Sequence, residues 1–279
     1  MNDKRRFERG GRNRAGGARG QALQGRPMGE VLARATPELV LLYGWHSVRA
    51  ALLNPARKVL RLHAAAGSLA GLEALAAQRK IPLAEVTPQA ISASLPREAV
   101  HQNVLLECRP LPDLDLSEIQ RKSGIVLVLD QITDPHNVGA IIRTAAAFNV
   151  DALVMTDRNA PDMGGVLAKA ASGGLEMVPI VRVVNLARAL RHLAEDGALC
   201  VGLDSDAPHT LAGAVEGLGA GRSVALVLGA EGEGLRRLTR ETCDVMARLD
   251  LPGKIISLNV SNACALALSN VHQALHARA

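Results

Sequence analysis

Aromatic side chains are scarce in this sequence: Trp, Tyr and Phe together make up 1% of its 279 residues. The hydrophobic content of 48% is nevertheless that of a globular protein, so Ala, Leu and Val must supply most of the packing. The length is sufficient for two domains and a sizeable core.

Cysteine pairs and long apolar runs are also missing. The four cysteines form no C-x-x-C motif, so neither a zinc site nor a disulfide framework is indicated. Residues 1–34 contain no apolar segment of the kind that opens a secretory signal, and no run in the chain is long enough to cross a bilayer. These absences predict a cytoplasmic protein with no membrane partner.

Positive charge is concentrated at the N-terminus. Residues 1–35 carry nine Lys or Arg against three acidic residues, a net charge of +6, whereas the whole chain carries +5. Interleaved glycines leave this segment too little apolar surface to fold, so we predict a basic disordered tail over residues 1–37. Such a tail is typical of an arm that binds RNA or another polyanion, although a solubilising tail with no partner fits the same composition.

A small α/β domain is predicted over residues 38–109, followed by a proline-containing linker over residues 110–122. Its helices are expected up to Leu53, over 69–79 and after Thr87, and its strands over 58–63, 83–87 and 103–108. His46 and His101 could contact RNA, but a lone histidine is more often structural, and we expect a structural role for both.

Residues 123–279 alternate strands with helices, which predicts a parallel sheet with ligand loops at the carboxyl ends of its strands. Strands are expected over 125–129, 152–155, 178–183, 199–203, 224–228 and 245–251, and helices over 138–148, 166–171, 185–195 and 263–275. Asn137 is a good N-cap for the helix that carries Arg143. Arg143 lies among apolar residues, where a charge is unusual unless it has a function. The structural alternative is that Arg143 pairs with Asp130 or Asp134, or that its side chain extends to solvent.

A glycine-rich turn follows the strand over 224–228. Glycines at positions 229, 232 and 234 allow a ligand to approach the backbone closely. Their spacing is the reverse of the dinucleotide fingerprint and lacks the Gly-Lys-Ser/Thr of a P-loop, and Glu231 and Glu233 disfavour a phosphate. The turn and the polar loop before the last helix therefore predict a ligand site that does not bind a pyrophosphate.

Three blocks of this second region resemble the ordered motifs of a known family. They are LDQITDPHNVGAIIRTAAAF (129–148), LVLGAEGEGLRRLTRE (226–241) and ISLNVSNA (256–263). Together they are similar to the motifs of the SpoU-type RNA ribose 2′-O-methyltransferases of the SPOUT superfamily, and most resemble the bacterial members that methylate a guanosine of 23S rRNA. The pieces YGWH and HQNV resemble the small RNA-binding domain of that family.

The resemblance implies an α/β fold with a trefoil knot in the C-terminal segment of the parallel-sheet domain, beside the small N-terminal RNA-binding domain. It implies transfer of a methyl group from S-adenosylmethionine to a ribose 2′-OH, without a metal. Two alternatives remain, a tRNA methyltransferase of the same superfamily and a non-catalytic RNA-binding protein on the same scaffold. DNA is not expected as a partner.

The resemblance also implies which residues form the site. Catalytic roles fall to Arg143, Asn137, Glu231, Asn259 and Ser257. Cofactor-binding roles fall to Gly229, Leu249, Leu258, Leu228, Ala230 and Gly234. Arg143 is expected to orient the phosphate and the hydroxyl and to stabilise the developing oxyanion. The sequence departs from the family where Asp250 stands for a usual proline, Asn262 for a valine-like residue and Asn103 for a glycine.

A homodimer is expected from the resemblance and from the last predicted helix. Residues 263–275 are apolar around much of the helix, more than packing on one face of a sheet requires. Such a surplus is typical of a subunit interface, although the N-terminal domain could cover it instead.

Deletion of residues 1–35 should weaken RNA binding and reduce its dependence on salt, because a basic arm contributes mainly through counterion release. The slope of log K against log salt concentration should fall by roughly 0.7 to 0.9 for every phosphate that the arm neutralises. Binding titrations at several salt concentrations measure this, with circular dichroism to check the fold. An unchanged slope would mean that the arm does not touch RNA.

Overall fold

The computed structural model of the protein describes residues 32–69, 71–218 and 221–276. Most of the predicted tail over residues 1–37 therefore lies outside the described residues, and its disorder and RNA contacts stay predictions. Of its last part, Leu32 is buried in a small apolar cluster with Leu41 and Tyr43.

A four-stranded sheet forms the first part of the described chain. Its strands are β1 (Val40–Tyr43), β2 (Val59–Ala64), β3 (Leu83–Glu85) and β4 (Val104–Cys108), and its helices are α1 (Trp45–Leu53), α2 (Leu72–Gln78) and α3 (Pro88–Ser94). The spatial order is β1-β4-β2-β3, in which β4 is antiparallel to both neighbours and β2 is parallel to β3. β1 is absent from the predicted elements because four consecutive apolar residues show no periodicity.

A seven-stranded parallel sheet forms the second part, as predicted. Its strands are β5 (Ile125–Asp130), β6 (Ala152–Thr156), β7 (Ile180–Val183), β8 (Ala198–Leu203), β9 (His209–Thr210), β10 (Ser223–Gly229) and β11 (Val245–Arg248). Its helices are α4 (Pro135–Ala147), α5 (Gly165–Ala171), α6 (Leu186–Glu195), α7 (Leu211–Ala214), α8 (Arg237–Thr242) and α9 (Val260–His276). The spatial order is β7-β6-β5-β10-β8-β11-β9. None of the helices within the described ranges has the length and apolar character that a membrane span requires.

Strands β5 and β10 are neighbours in the middle of this sheet, with Asp130 opposite Gly229. The chain leaves β5 through α4 towards β6 on one side, whereas it leaves β10 towards β11 on the other side. Such a divergence of connections opens a crevice at the carboxyl ends of the two strands, where ligands bind in open parallel sheets.

After β11 the chain turns back towards the middle of the sheet. Residues 249–259 lead from β11 to α9, which packs against α4, α7 and β10. The segment therefore passes the carboxyl ends of the central strands before α9 begins.

Helix α4 begins at Pro135, three residues before the predicted start. Its N-cap is Asp134, whose carboxylate accepts hydrogen bonds from the backbone N–H of His136 at 3.3 Å and of Asn137 at 3.1 Å. The prediction of Asn137 as the N-cap is therefore wrong, because proline at the first helical position already has the helical φ. As a result, the side chain of Asn137 can bond elsewhere.

The two sheets share one hydrophobic core. A single cluster of buried side chains includes Leu42 and Leu106 from the first sheet and Leu127 and Leu226 from the second. The main contact is made by β1 and α1, which pack against α5. The two parts of the chain are thus joined by apolar packing.

A buried ion pair reinforces this joint. Arg57 and Glu176, whose side chains are 2% and 4% exposed, approach to 2.6 Å. The Arg57 Nε also donates to both carboxylate oxygens, and Asn54 Nδ2 donates to Glu176 Oε2 at 2.7 Å. Removal of either charge would leave the other buried without its partner.

A second polar contact fixes the start of α1. Gln102 Oε1 accepts hydrogen bonds from the backbone N–H of Trp45 at 3.0 Å and from Lys169 Nζ at 2.7 Å. Gly44 has a φ of +83°, which favours glycine, and a Cβ on it would lie 2.5 Å from Lys169 Nζ and displace that side chain. Burial lowers the pKa of the Lys169 ammonium.

The predicted linker over residues 110–122 lies along the second sheet. The backbone N–H of Leu114 donates to the carbonyl oxygen of Ile180 at 3.3 Å, and Asp113 pairs with Arg182 at 2.9 Å. The segment connects the two sheets and is held in place by these contacts.

Glu176→Ala should lower the free energy of unfolding by about 3 to 5 kcal/mol, because it leaves the Arg57 guanidinium buried and unpaired. Urea denaturation measures the change. Glu241→Ala is the matched control, since Glu241 pairs with Arg237 on an exposed helix face, where such pairs contribute about 0.3 to 0.5 kcal/mol. Equal effects of the two substitutions would contradict a stabilising role for the buried pair.

Candidate functional site

A buried carboxylate lies at the base of the crevice between β5 and β10. Asp130 is 0% exposed and accepts hydrogen bonds from the backbone N–H of Arg236 at 3.0 Å and from its Nε at 2.7 Å. The carboxylate is thus hydrogen-bonded, as a buried charge must be. It fixes the chain that follows the glycine-rich turn against the end of β5.

The glycine-rich turn is closed by its own backbone. The N–H of Gly234 donates to the carbonyl oxygen of Ala230 at 2.9 Å. A Cβ on Gly229 would lie 2.2 Å from the carbonyl carbon of Gly234, so no side chain fits at this position. Gly232 and Gly234 have φ angles of +82° and +66°, which favour glycine. Formation of the turn thus requires glycine at the positions where the sequence has it.

The carboxylate of Glu231, within this turn, connects three segments of the chain. Its Oε1 accepts hydrogen bonds from Asn259 Nδ2 at 2.6 Å, from Asn137 Nδ2 at 3.3 Å and from the backbone N–H of Val260 at 3.3 Å. Asn259 Nδ2 also donates to Asn137 Oδ1 at 3.0 Å. We call Asn137, Glu231 and Asn259 the amide–carboxylate network.

A cavity of about 670 Å³ opens beside this network. Its wall consists of the loops at the carboxyl ends of β8, β10 and β11. All six residues predicted to bind the cofactor line it: Leu228, Gly229, Ala230, Gly234, Leu249 and Leu258. Glu231, Ser257 and Asn259 line it as well. The structure therefore brings most of the predicted site residues to one cavity.

Four charged residues of the cavity wall are missing from the predicted set: Asp204, Asp206, Glu233 and Arg240. Arg240 of α8 forms an ion pair with Asp204, which follows β8. Asp204 also accepts a hydrogen bond from the backbone N–H of Asp206 at 2.8 Å. Asp204 lies outside the three sequence blocks, so no motif indicates it, whereas Arg240 lies inside the second block.

Arg143 is separate from the cavity. It is exposed on α4 and lies six residues beyond Asn137, which places it about 120° around the helix axis from that side chain. It forms no ion pair or hydrogen bond with any residue that the structure describes, because Asp130 binds Arg236 and Asp134 caps α4. Arg143 therefore extends to solvent within its own chain and does not pair with Asp130 or Asp134.

Thiol chemistry is not available at neutral pH. Burial raises the pKa of each cysteine thiol, Cys108, Cys200, Cys243 and Cys264, to about 12. Since the thiolate is the nucleophile, these cysteines are inert. Across the described ranges, no three His, Cys, Asp or Glu side chains are grouped as they would be around a metal ion.

Comparison with known proteins gives matches over both sheets. The SpoU rRNA Methylase family matches residues 124–269, and the family of RNA 2′-O ribose methyltransferase substrate binding matches residues 41–114. Two relatives are each named 23S rRNA (guanosine-2′-O-)-methyltransferase RlmB. The one from Vibrio vulnificus is 44% identical over 177 residues, 61% of this chain and 69% of the relative. The one from Pseudomonas putida is 35% identical over 246 residues, 83% of this chain and 95% of the relative.

The fold also has a counterpart among solved structures. The crystal structure of an AdoMet-bound rRNA methyltransferase from Sinorhizobium meliloti is similar with a TM-score of 0.71. The match covers 85% of this chain and 87% of that chain at 22% sequence identity, and it establishes a likeness of fold.

Gly229→Ala should lower the free energy of unfolding by about 3 kcal/mol or more, because the new Cβ overlaps backbone that cannot move without opening the turn. Urea denaturation and amide hydrogen exchange over residues 230–234 measure the two effects. Gly253→Ala is the control, since a Cβ there would have no neighbour nearer than the nitrogen of Ile255 at 4.0 Å. If the amide hydrogens of residues 230–234 exchange in both variants at the rate of the unmodified protein, the turn does not depend on Gly229.

Proposed function

The chain belongs to the SpoU rRNA methylase family, and we propose that it transfers the methyl group of S-adenosylmethionine to the ribose 2′-OH of a guanosine in 23S rRNA. The observation that carries the proposal is the amide–carboxylate network beside the cavity, to which each of the three sequence blocks contributes one residue. The substrate class comes from the relatives named RlmB.

The cavity suits the proposed cofactor in size and in charge. Its volume of about 670 Å³ lies within the range of about 300 to 1,000 Å³ that small-molecule sites occupy. Its wall carries one guanidinium, that of Arg240, and four carboxylates, those of Asp204, Asp206, Glu231 and Glu233. S-adenosylmethionine carries a sulfonium, an ammonium and a carboxylate group and is positively charged overall, so an acidic wall favours it, whereas the same wall disfavours a pyrophosphate.

Leucine side chains and backbone groups supply the rest of this binding surface. Leu228 lies near the end of β10, and Leu249 and Leu258 lie in the segment between β11 and α9. All three line the cavity and offer apolar contact for an adenine ring. Gly229, Ala230 and Gly234 expose backbone in the turn because they carry little or no side chain. We assign these six residues to cofactor binding.

The amide–carboxylate network acts on the ribose. When bound, S-adenosylmethionine supplies an electrophilic methyl group on sulfur, and the protein must hold the hydroxyl in line with it. Glu231 is fixed by the donors on its Oε1, while its Oε2 has no hydrogen bond with a described residue and can accept one from the ribose. Asn137 and Asn259 hold Glu231 in this orientation. Ser257 lines the cavity together with Glu231 and Asn259.

Arg143 reaches the reaction from a second copy of the chain. Within its own chain it lies outside the cavity, exposed and unpaired among the described residues. Because a guanidinium stays protonated, its role is to orient the phosphate and to stabilise the oxyanion that develops on the ribose. In a homodimer with two-fold symmetry, Arg143 of each chain faces the cavity of the other.

Exposed apolar residues support such an interface. Ile255 and Ile256 beside the cavity are 73% and 67% exposed, and Leu266 on α9 is 43% exposed. Burial of these side chains against a second copy would remove them from water. The dimer would then be required for activity as well as for stability.

We also propose a path for the chain and a role for each of its regions. The return of residues 249–259 from β11 to the centre of the sheet is compatible with a trefoil knot in the C-terminal segment. We assign residues 38–109 to RNA binding, residues 110–122 to the connection and residues 123–279 to methyl transfer. The first of these regions overlaps the match to the substrate-binding family.

The activity is tested by incubating the full chain with radiolabelled S-adenosylmethionine and unmodified transcripts of 23S rRNA and of tRNA. Label should enter 23S rRNA, and mapping of 2′-O-methyl groups should place it on a guanosine ribose. Label in tRNA alone would contradict the assigned substrate, and no label in either RNA would contradict the activity.

Arg143→Ala should abolish methyl transfer while cofactor binding stays near that of the unmodified protein, because the proposed role of Arg143 is with the phosphate and the hydroxyl of the RNA. Mixing inactive Arg143→Ala chains with inactive Asn259→Ala chains should restore about a quarter of the activity, since half of the random dimers are mixed and each has one intact site. Methylation assays after subunit exchange measure the recovery.

The matched control mixes Asn137→Ala with Asn259→Ala chains. Both residues belong to the network of one chain, so every cavity stays defective and no activity should return. Failure of the first mixture, with mixed dimers shown to form, would place Arg143 and Asn259 in the same chain's site. A protein that is monomeric and active would contradict the shared site.

A further inference from the structure

Trp45 is the only tryptophan in the chain, and it lies half-buried at the start of α1. Its ring contacts the exposed ring of His46 edge to face, with 5.2 Å between centroids and 87° between planes. The guanidinium of Arg49 lies 5.6 Å from the centroid of the indole ring. We call Trp45, His46 and Arg49 the α1 cluster. His46 is exposed, so its ring is accessible from solvent.

The α1 cluster has the composition of a site for an unpaired base. Single-stranded RNA is recognised by stacking of its bases on aromatic rings and on arginine planes. Arg49 and the neighbouring Lys169 add positive charge, which favours a polyanion. The core of a protein interface, by contrast, is depleted of charge.

The position of the cluster is fixed relative to the second sheet. The backbone N–H of Trp45 is held by Gln102, which is held in turn by Lys169 of α5. Ser47 Oγ in the same helix turn donates to the carbonyl oxygen of Ala168 at 2.8 Å. The ring is thus presented from a helix that is anchored at two points to the methyltransferase part.

Two glycines separate the α1 cluster from α4. A Cβ on Gly173 would lie 3.5 Å from the carbonyl oxygen of His46, and one on Gly174 would lie 3.2 Å from the Cα of Arg143. Because Gly173 and Gly174 are adjacent, the backbones of His46 and Arg143 lie on either side of a single glycine pair. An RNA that reaches Arg143 therefore passes close to the α1 cluster.

We propose that the α1 cluster is a stacking site for an unpaired RNA base near the nucleotide that is methylated. The inference rests on the proposed function insofar as the substrate is RNA. The indole ring and the Arg49 guanidinium offer π-faces to the base, and His46 offers a hydrogen bond to base or phosphate. A base inside an A-form helix cannot reach these faces, so the site selects loops, bulges or ends.

The unmodified protein provides the first test. Trp45 is the only tryptophan and Tyr43, the only tyrosine, is buried, so tryptophan emission reports on the α1 cluster alone. Titration with an unpaired RNA oligonucleotide should quench this emission in step with binding followed by the anisotropy of labelled RNA. The same oligonucleotide in a perfect duplex should quench it less.

Two results of this titration would overturn the proposal. One is RNA binding with unchanged tryptophan emission. The other is an emission that changes on dilution of the protein but not on addition of RNA, which would place Trp45 at a contact between copies of the chain.

Trp45→Leu provides the second test. It should weaken binding of the unpaired oligonucleotide by about 5- to 150-fold, the range for removal of one stacked base, without changing the salt slope. Trp45→Phe should retain most of the affinity, and Leu53→Ala is the control because Leu53 is 50% exposed at the other end of α1. Thermal melting and cofactor binding confirm that each variant folds.

The outcomes separate this inference from the proposed function. An active enzyme whose Trp45→Leu variant binds and methylates RNA normally would overturn the stacking site alone. A protein that methylates no RNA, yet whose tryptophan emission is quenched by unpaired RNA, would overturn the methyltransferase assignment and leave the stacking site in place.

Discussion

Parallel pairing of β5 with β10 is the constraint on which the site depends. It sets Asp130 beside Gly229, at the point where the connections of the sheet diverge. The buried carboxylate of Asp130 needs hydrogen bonds, and Arg236 supplies them. Because Arg236 follows the glycine-rich turn, the same contact holds the turn in place and with it Glu231. Asn137 and Asn259, which are distant in sequence, then meet on that carboxylate.

The parallel sheet could be predicted from the sequence because β5 and β10 are short continuous apolar runs followed by turns, as strands buried on both faces are. The role of Asn137, by contrast, could not be predicted from local sequence rules. Asp134, Pro135 and Asn137 all carry helix-start signals, and Pro135 at the first helical position leaves Asn137 inside the helix. The residue that Asn137 then binds, Asn259, is 122 positions away in sequence, so no local rule predicts the contact. Asp204 could not be predicted for the same reason, since its proximity to Arg240 arises only from the order of strands.

The three departures from the family pattern also have a structural explanation. Asn103 has a φ of +59°, a region that glycine enters freely and that asparagine tolerates better than most residues. The backbone at the start of β4 can therefore keep the shape that glycine gives it. Asp250 and Asn262 are exposed and do not line the cavity. The cavity wall therefore does not require a proline at position 250 or an apolar residue at position 262.

The buried joint between Arg57 and Glu176 limits how the protein can adapt to RNA. Separating the two sheets would expose this ion pair and part of the shared core, so α1 keeps a fixed distance from α4, the helix that carries Arg143. An RNA must then present its features at that spacing or bend until it does. The protein thus discriminates among RNAs by their folded shape. When the two do not fit, it is the RNA that deforms.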